Sequence, residues 1–161
     1  MKDVIFRKAT IEDCRNLSEL KREVWITTYS GIYPQEKLDS YDVEKNESIF
    51  RSFVERPDIE LYLAENNGEA IGLMMVGKPY KLYNEYDQEV ALLYIRKDFQ
   101  RMGIGRKFLK IAKDEVRRKG FDRFVLSVNE QNENAIAFYE AMDGTTVCHD
   151  GGQRRMVFLV D

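Results

Sequence analysis

The sequence predicts an α/β (α+β) fold, a mixed, mostly antiparallel central sheet flanked by helices on both faces. Three observations predict it. Strand and helix patterns follow one another as β-α-α-β-β-β-α-β-α-β-β, without linker, repeat or low-complexity stretch. Asn66-Asn67-Gly68 separates two apolar runs, a strong hairpin signal. Gln100-Arg101-Met102-Gly103-Ile104-Gly105-Arg106 joins the apolar run Val90-Ala91-Leu92-Leu93-Tyr94-Ile95 to a long amphipathic segment, as strand, turn and helix.

The elements follow in order. Residues 4–8 read as a short strand. Thr10 then precedes Glu12 and Asp13, acidic residues suited to a first helical turn. Leu17, Leu20, Val24 and Thr28 recur at helical spacing, so a helix runs to about Tyr29 and stops near Gly31 and Pro34. A second helix covers 43–54, with Ile49, Phe50 and Phe53, and ends before Pro57. Strands at 59–65 and 70–76 flank the hairpin turn, and a third begins at Glu89. Ile104, Phe108, Ile111, Ala112 and Val116 line one face of the helix that stops at Gly120. A strand at 124–128, a helix at 132–142 and strands near 145–148 and 156–160 close the chain, with Gly151-Gly152 as the last turn.

Composition bounds the function. At 161 residues the expectation is one domain spanning 1–161, burying roughly 70% of its unfolded surface. No apolar run reaches a membrane span, and Met1-Lys2-Asp3 opens no signal peptide, so a cytoplasmic protein is expected. Cys14 and Cys148 lack Cys-x-x-Cys spacing and read as reduced thiols. With 25 basic and 28 acidic residues the net charge is −3, which gives no nucleic-acid footprint. The lone histidine, His149, excludes a multi-histidine metal site, and no metal is expected.

The glycine run narrows the chemistry furthest. The first N–H groups of a helix lack intrahelical partners, and the macrodipole adds partial positive charge there. Glycines let a pyrophosphate approach that backbone. A dinucleotide fingerprint fails because Phe108 stands where its third glycine belongs, and no Gly-Lys-Ser/Thr run marks an ATP-type loop. A plain tight turn remains open at this point. The spacing Gln-x-x-Gly-x-Gly, flanked by Arg101 and Arg106, resembles the acyl-CoA loop of the GNAT superfamily of N-acetyltransferases. The order of elements is also the GNAT order.

A second run, Asn132-Glu133-Asn134-Ala135-Ile136-Ala137-Phe138-Tyr139-Glu140, resembles the Asn-x-x-Ala-x-x-Phe-Tyr-Glu helix of many GNAT enzymes. Ile136 and Met142 also read as the packed face of that helix. The resemblance implies that Tyr139 is the general acid near the sulfur of acetyl-CoA and that Asn132 contacts the cofactor's arm. Tyrosine, with an unperturbed pKa of about 10, keeps the proton a departing thiolate needs. An alkylammonium must lose its proton before attack, which costs about 4–5 kcal/mol at pH 7. The resemblance gives that task to Glu89, whose alternative reading is a solvated residue at a strand's entry. It further implies that the backbone of Leu93, Tyr94 and Ile95 pairs with the cofactor, the Ile95 N–H polarising the thioester carbonyl. The loop residues Gln100, Arg101, Met102, Gly103, Ile104, Gly105 and Arg106 complete the expected cofactor set.

Residues 24–34, with Trp25, Tyr29, Gly31, Ile32 and Pro34 in a Trp…Tyr-x-Gly-Ile-x-Pro pattern, resemble the helix connection of a GNAT subgroup that includes enzymes similar to polyamine acetyltransferases. That implies Trp25, Tyr29 and Tyr33 as acceptor contacts, with Tyr80, Tyr83, Tyr86 and Asp87 in the loop before Glu89; aromatics of this kind are also common core residues. One departure stands out. Asp143-Gly144 follows the Tyr139 helix where most members have Gly-Phe, which shifts the turn by a residue. The expected function is acetyl transfer from acetyl-CoA to a primary amine, on a small molecule or a peptide N-terminus, directly in a ternary complex. No nucleic-acid or membrane partner is expected; a homodimer is left open. A non-catalytic acyl-CoA sensor and a nucleotide-binding domain are the alternatives.

Overall fold

In this computed structural model, residues 3–79 and 86–161 are described; Tyr80 and Tyr83 lie outside them. The strands are β1 (Val4–Lys8), β2 (Ile59–Asn66), β3 (Glu69–Gly77), β4 (Glu89–Ile95), β5 (Arg123–Asn129), β6 (Thr145–Asp150) and β7 (Gln153–Leu159). The helices are α1 (Cys14–Tyr29), α2 (Gln35–Asp39), α3 (Val43–Val54), α4 (Ile104–Arg118) and α5 (Glu133–Ala141). Together the strands form one mixed sheet of seven, in the order β1-β2-β3-β4-β5-β7-β6. The chain packs as two compact units, Met1–Met75 with Leu92–Gly105, and Val76–Ala91 with Arg106–Asp161.

In the first unit β1 pairs antiparallel with β2, Phe6 opposite Ala64. The turn into β3 is Asn67-Gly68, with φ of 53° and 78°. Two left-handed residues in a two-residue loop make a type I′ turn, whose twist suits a hairpin. Helix α1 opens from a 3-10 turn at Ile11–Asp13 rather than directly at Thr10. There Asp13 accepts from both terminal nitrogens of Arg7 at 2.8 and 2.9 Å, and from the Thr10 N–H at 2.7 Å. Leu17, Leu20 and Val24 bury the inner face of α1, and Phe50 and Phe53 do the same for α3. The short helix α2 has too little periodicity to be seen in the sequence; Leu38 alone of its residues is buried.

In the second unit β5 pairs antiparallel with β7 and β7 with β6, while β4 meets β5 in parallel with Glu89 opposite Val125. Phe124, Val125 and Leu126 are consecutive and all buried, as in a strand covered on both faces. Phe108, Leu109, Ala112 and Val116 form the buried stripe of α4 at helical spacing. Phe124 and Phe158 stack with centroids 5.1 Å apart.

Candidate active site

The first unit carries the glycine loop. A 3-10 turn at Lys97–Phe99 leads out of β4, and the loop that follows ends at α4. The backbone is left-handed at Arg101 (φ 62°) and Gly103 (φ 88°). For Arg101, an L-residue, that conformation costs roughly 1–2 kcal/mol, a strain of the kind that gathers at binding sites. Arg101, Met102 and Gly103 are exposed, Met102 at 53%. A Cβ built at Gly103 would meet nothing within 4 Å, so the backbone faces open space. Ile104 and Gly105 are buried and seat the helix end, while Arg106 and Lys107 are exposed. The first turn of α4 holds no acidic residue. An open glycine, a helix N-terminus with no acidic residue in its first turn and the exposed side chains of Arg101, Arg106 and Lys107 suit a pyrophosphate.

The end of β4 is fixed by its own loop. Gln100 Nε2 donates to the Ile95 carbonyl at 2.9 Å, and the Arg96 N–H donates to the Ile71 carbonyl on β3 at 2.8 Å. Backbone groups alternate sides along a strand, so with Arg96 turned toward β3 the Ile95 N–H points the other way. Gln100 thus serves the strand through its side chain. Leu93, Tyr94 and Ile95 are half-buried.

Trp25, Tyr29 and Tyr33, the expected acceptor contacts, come together in this unit. Tyr29 and Tyr33 stack at 4.5 Å and 16°. The Trp25 ring lies 6.4 Å from Tyr29 and 6.1 Å from Tyr33, tilted to both. All three are half-buried, so they form a partly open face rather than interior packing. Sequence reasoning missed two neighbours: Tyr41, 6.0 Å from Trp25, and Lys37, whose Nζ stands 3.9 Å from the Tyr33 centroid. The spacing Tyr33 to Lys37 was the available signal, hidden because Pro34 breaks the helical pattern. A cavity of about 480 Å³ in this unit is lined by Glu23, Thr27, Lys97 and Asp98. Asp98 is held by Arg96 through two bonds of 3.0 and 2.8 Å, and Arg96 also lies 4.0 Å from Glu23. Arg96 thus offsets the negative charge of that cavity.

The second unit carries the expected acid and base. Glu89 is 6% exposed at the first position of β4, which overturns the reading of a solvated strand-entry residue. Gln88 beside it is also buried. Tyr139, 8% exposed, meets the Phe158 ring edge-on at 6.1 Å. Its carbonyl accepts the Gly144 N–H at 2.8 Å while Asp143 donates to Glu140 at 3.1 Å. With Asp143 left-handed at φ 72°, these bonds make a Schellman closure. The shifted Asp143-Gly144 pair is thereby explained. Asp143 takes the left-handed position, and Gly144 makes a close approach at which a Cβ would lie 2.6 Å from Phe158. Asn132 is the N-cap of α5, its Oδ1 accepting from Ala135 at 3.3 Å. Helix α5 therefore begins one residue later than the sequence suggested. Tyr86 is half-buried, with the Arg123 guanidinium 4.8 Å from its ring, and Asp87 is exposed.

Cys14 is buried, and burial pushes its thiol pKa up, which leaves it a poor nucleophile. His149 pairs with Glu130, which Arg154 also holds; hydrogen bonds from the Arg154 guanidinium first, and then from His149, keep that carboxyl below the usual range. Among the described residues no cluster of three or more His, Cys, Asp or Glu side chains could hold a metal, and no helix is long and apolar enough to cross a membrane.

Residues 18–144 match the acetyltransferase (GNAT) family. An uncharacterized N-acetyltransferase, YuaI of Bacillus subtilis, is 28% identical over 148 residues, 91% of this chain and 83% of the relative. Spermidine N(1)-acetyltransferase of Thermoplasma acidophilum is 30% identical over 138 residues, 83% of each chain. The crystal structure of PaiA N-acetyltransferase from Thermoplasma acidophilum, in complex with coenzyme A, superposes with a TM-score of 0.87 at 27% identity. That match covers 98% of this chain and 99% of the other. With the family match spanning most of its length, and the fold and both motifs agreeing with it, the chain belongs to the GNAT family of acetyltransferases.

Proposed function

We propose that this acetyltransferase moves the acetyl group of acetyl-CoA to a primary amine by direct attack within a ternary complex. The observation that carries the reading is the exposed loop at the N-terminus of α4, with open space in front of Gly103 and no acidic residue in the first turn. The related PaiA structure holding coenzyme A supports the donor, and the relationship to a spermidine acetyltransferase supports an alkylamine acceptor.

Acetyl-CoA supplies an activated thioester. Residues 100–106 hold its pyrophosphate through the loop's N–H groups and the charges of Arg101 and Arg106. The backbone of Leu93, Tyr94 and Ile95 aligns the pantetheine amides, and the Ile95 N–H polarises the carbonyl to be attacked. Asn132 spends Oδ1 on its cap, so Nδ2 is the group it offers the cofactor's arm. Glu89 takes the proton from the attacking ammonium, directly or through water, and Tyr139 gives its hydroxyl proton to the leaving thiolate. Trp25, Tyr29 and Tyr33 face the acceptor.

Thiol release measured over a panel of polyamines, amino acids and peptide N-termini tests this reading, with calorimetric titration of acetyl-CoA alongside. Amine-dependent release of CoA is expected. Tight acetyl-CoA binding with no release on any amine would instead make the protein an acyl-CoA sensor.

A further inference from the structure

The aromatic face of the first unit already holds a cation. Lys37 sits on α2 just beyond Pro34, and the partner its ammonium takes is the Tyr33 ring, at 3.9 Å. Tyr33 is backed by the parallel ring of Tyr29, and Trp25 stands against both. Trp25 in turn rests near Tyr41, whose hydroxyl donates to the Ser18 carbonyl of α1 at 2.8 Å. The platform is therefore anchored, whereas Lys37 is exposed on a five-residue helix and its stem can swing away.

We propose that this platform is a seat for an ammonium group of the acceptor, and that Lys37 occupies it as an internal competitor until the acceptor displaces it. The proposal rests on the reading that Trp25, Tyr29 and Tyr33 face the acceptor. A ring face attracts an amine in its charged form. The nitrogen that attacks a thioester must be neutral. One nitrogen cannot be both at once, so the seated ammonium is not the one acetylated. The acceptor is then a diamine or polyamine, with one nitrogen for the seat and another for the chemistry.

The chain has one tryptophan, Trp25, so its fluorescence reports on this face alone. Titration with 1,4-diaminobutane or n-butylammonium should change the emission, and uncharged butan-1-ol should not. Lys37→Met keeps the aliphatic stem and removes the competing charge. It should tighten both ammonium ligands by about 2–5-fold, the range of an exposed cation–π contact. The KM for 1,4-diaminobutane should fall to match, with the KM for acetyl-CoA unchanged. Lys45→Met alters the net charge equally from α3 and should have no such effect. Tyr33→Leu should weaken ammonium binding and erase the benefit of Lys37→Met.

An equal response to butan-1-ol would overturn the proposal, as would unchanged affinity in Lys37→Met or an equal gain in Lys45→Met. A protein that released no thiol with any amine, yet bound ammonium at Trp25 as described, would refute the transfer reaction and keep the seat. Amine turnover with no effect of Lys37→Met would keep the reaction and refute the seat.

Discussion

Tyr139 and Glu89 are both buried, and both are proposed to move protons, which makes conservative substitutions informative. Tyr139→Phe keeps the ring that meets Phe158 edge-on and leaves the backbone carbonyl that closes α5. Stability should change little. If the hydroxyl protonates the leaving thiolate, kcat should fall by about 10²-fold while acetyl-CoA still binds. The deficit should shrink with acyl donors whose thiols are more acidic. Full activity would reduce Tyr139 to packing. For Glu89→Gln, the shape persists and the base is lost, so kcat/KM should drop by about 10²-fold at neutral pH. Activity should partly recover as rising pH deprotonates the amine without help. A loss uniform across pH would assign the proton to another group.

At the scale of the element, the closure of α5 shows what the sequence concealed. Asp143 holds a left-handed backbone at a position usually given to glycine, because the glycine is needed one residue later beside Phe158. Asp143→Gly should therefore raise stability by about 0.5–1 kcal/mol, read as a higher denaturant midpoint at unchanged slope. A lower midpoint would mean that the aspartate side chain contributes more than its backbone strain costs. Elements with strong local signals were legible in advance. The 3.6-residue stripe of α4 and the Asn67-Gly68 turn come from nearest neighbours along the chain. Helix α2 was not, since five residues give less than two turns of periodicity. The candidate site divides the same way. Its loop and the α5 motif lie in contiguous sequence, whereas the burial of Glu89 and the cation of Lys37 over Tyr33 depend on packing. No local pattern announces either.

For the whole molecule, the charge balance and the loop pull in opposite directions. The chain carries a net charge of −3, which disfavours a polyanion in general. Arg101, Arg106 and Lys107 are exposed and close in sequence, so the proposed pyrophosphate site is local to residues 101–107. A ligand that binds only the folded protein stabilises all of it, by about 2.7 kcal/mol at a hundred times its Kd. For a chain of this length, about 2–4 °C of Tm per kcal/mol gives an expected rise of roughly 5–11 °C with saturating acetyl-CoA. Gly103→Asp tests where that stabilisation originates. Its φ of 88° strains any side chain, but aspartate tolerates left-handed backbone better than most residues and adds a negative charge facing the pyrophosphate. The variant should melt somewhat lower without ligand, and that strain cancels when each protein is compared with and without acetyl-CoA. The ligand-induced rise should be largely lost in Gly103→Asp. A rise as large as the parent's would move the cofactor away from this loop.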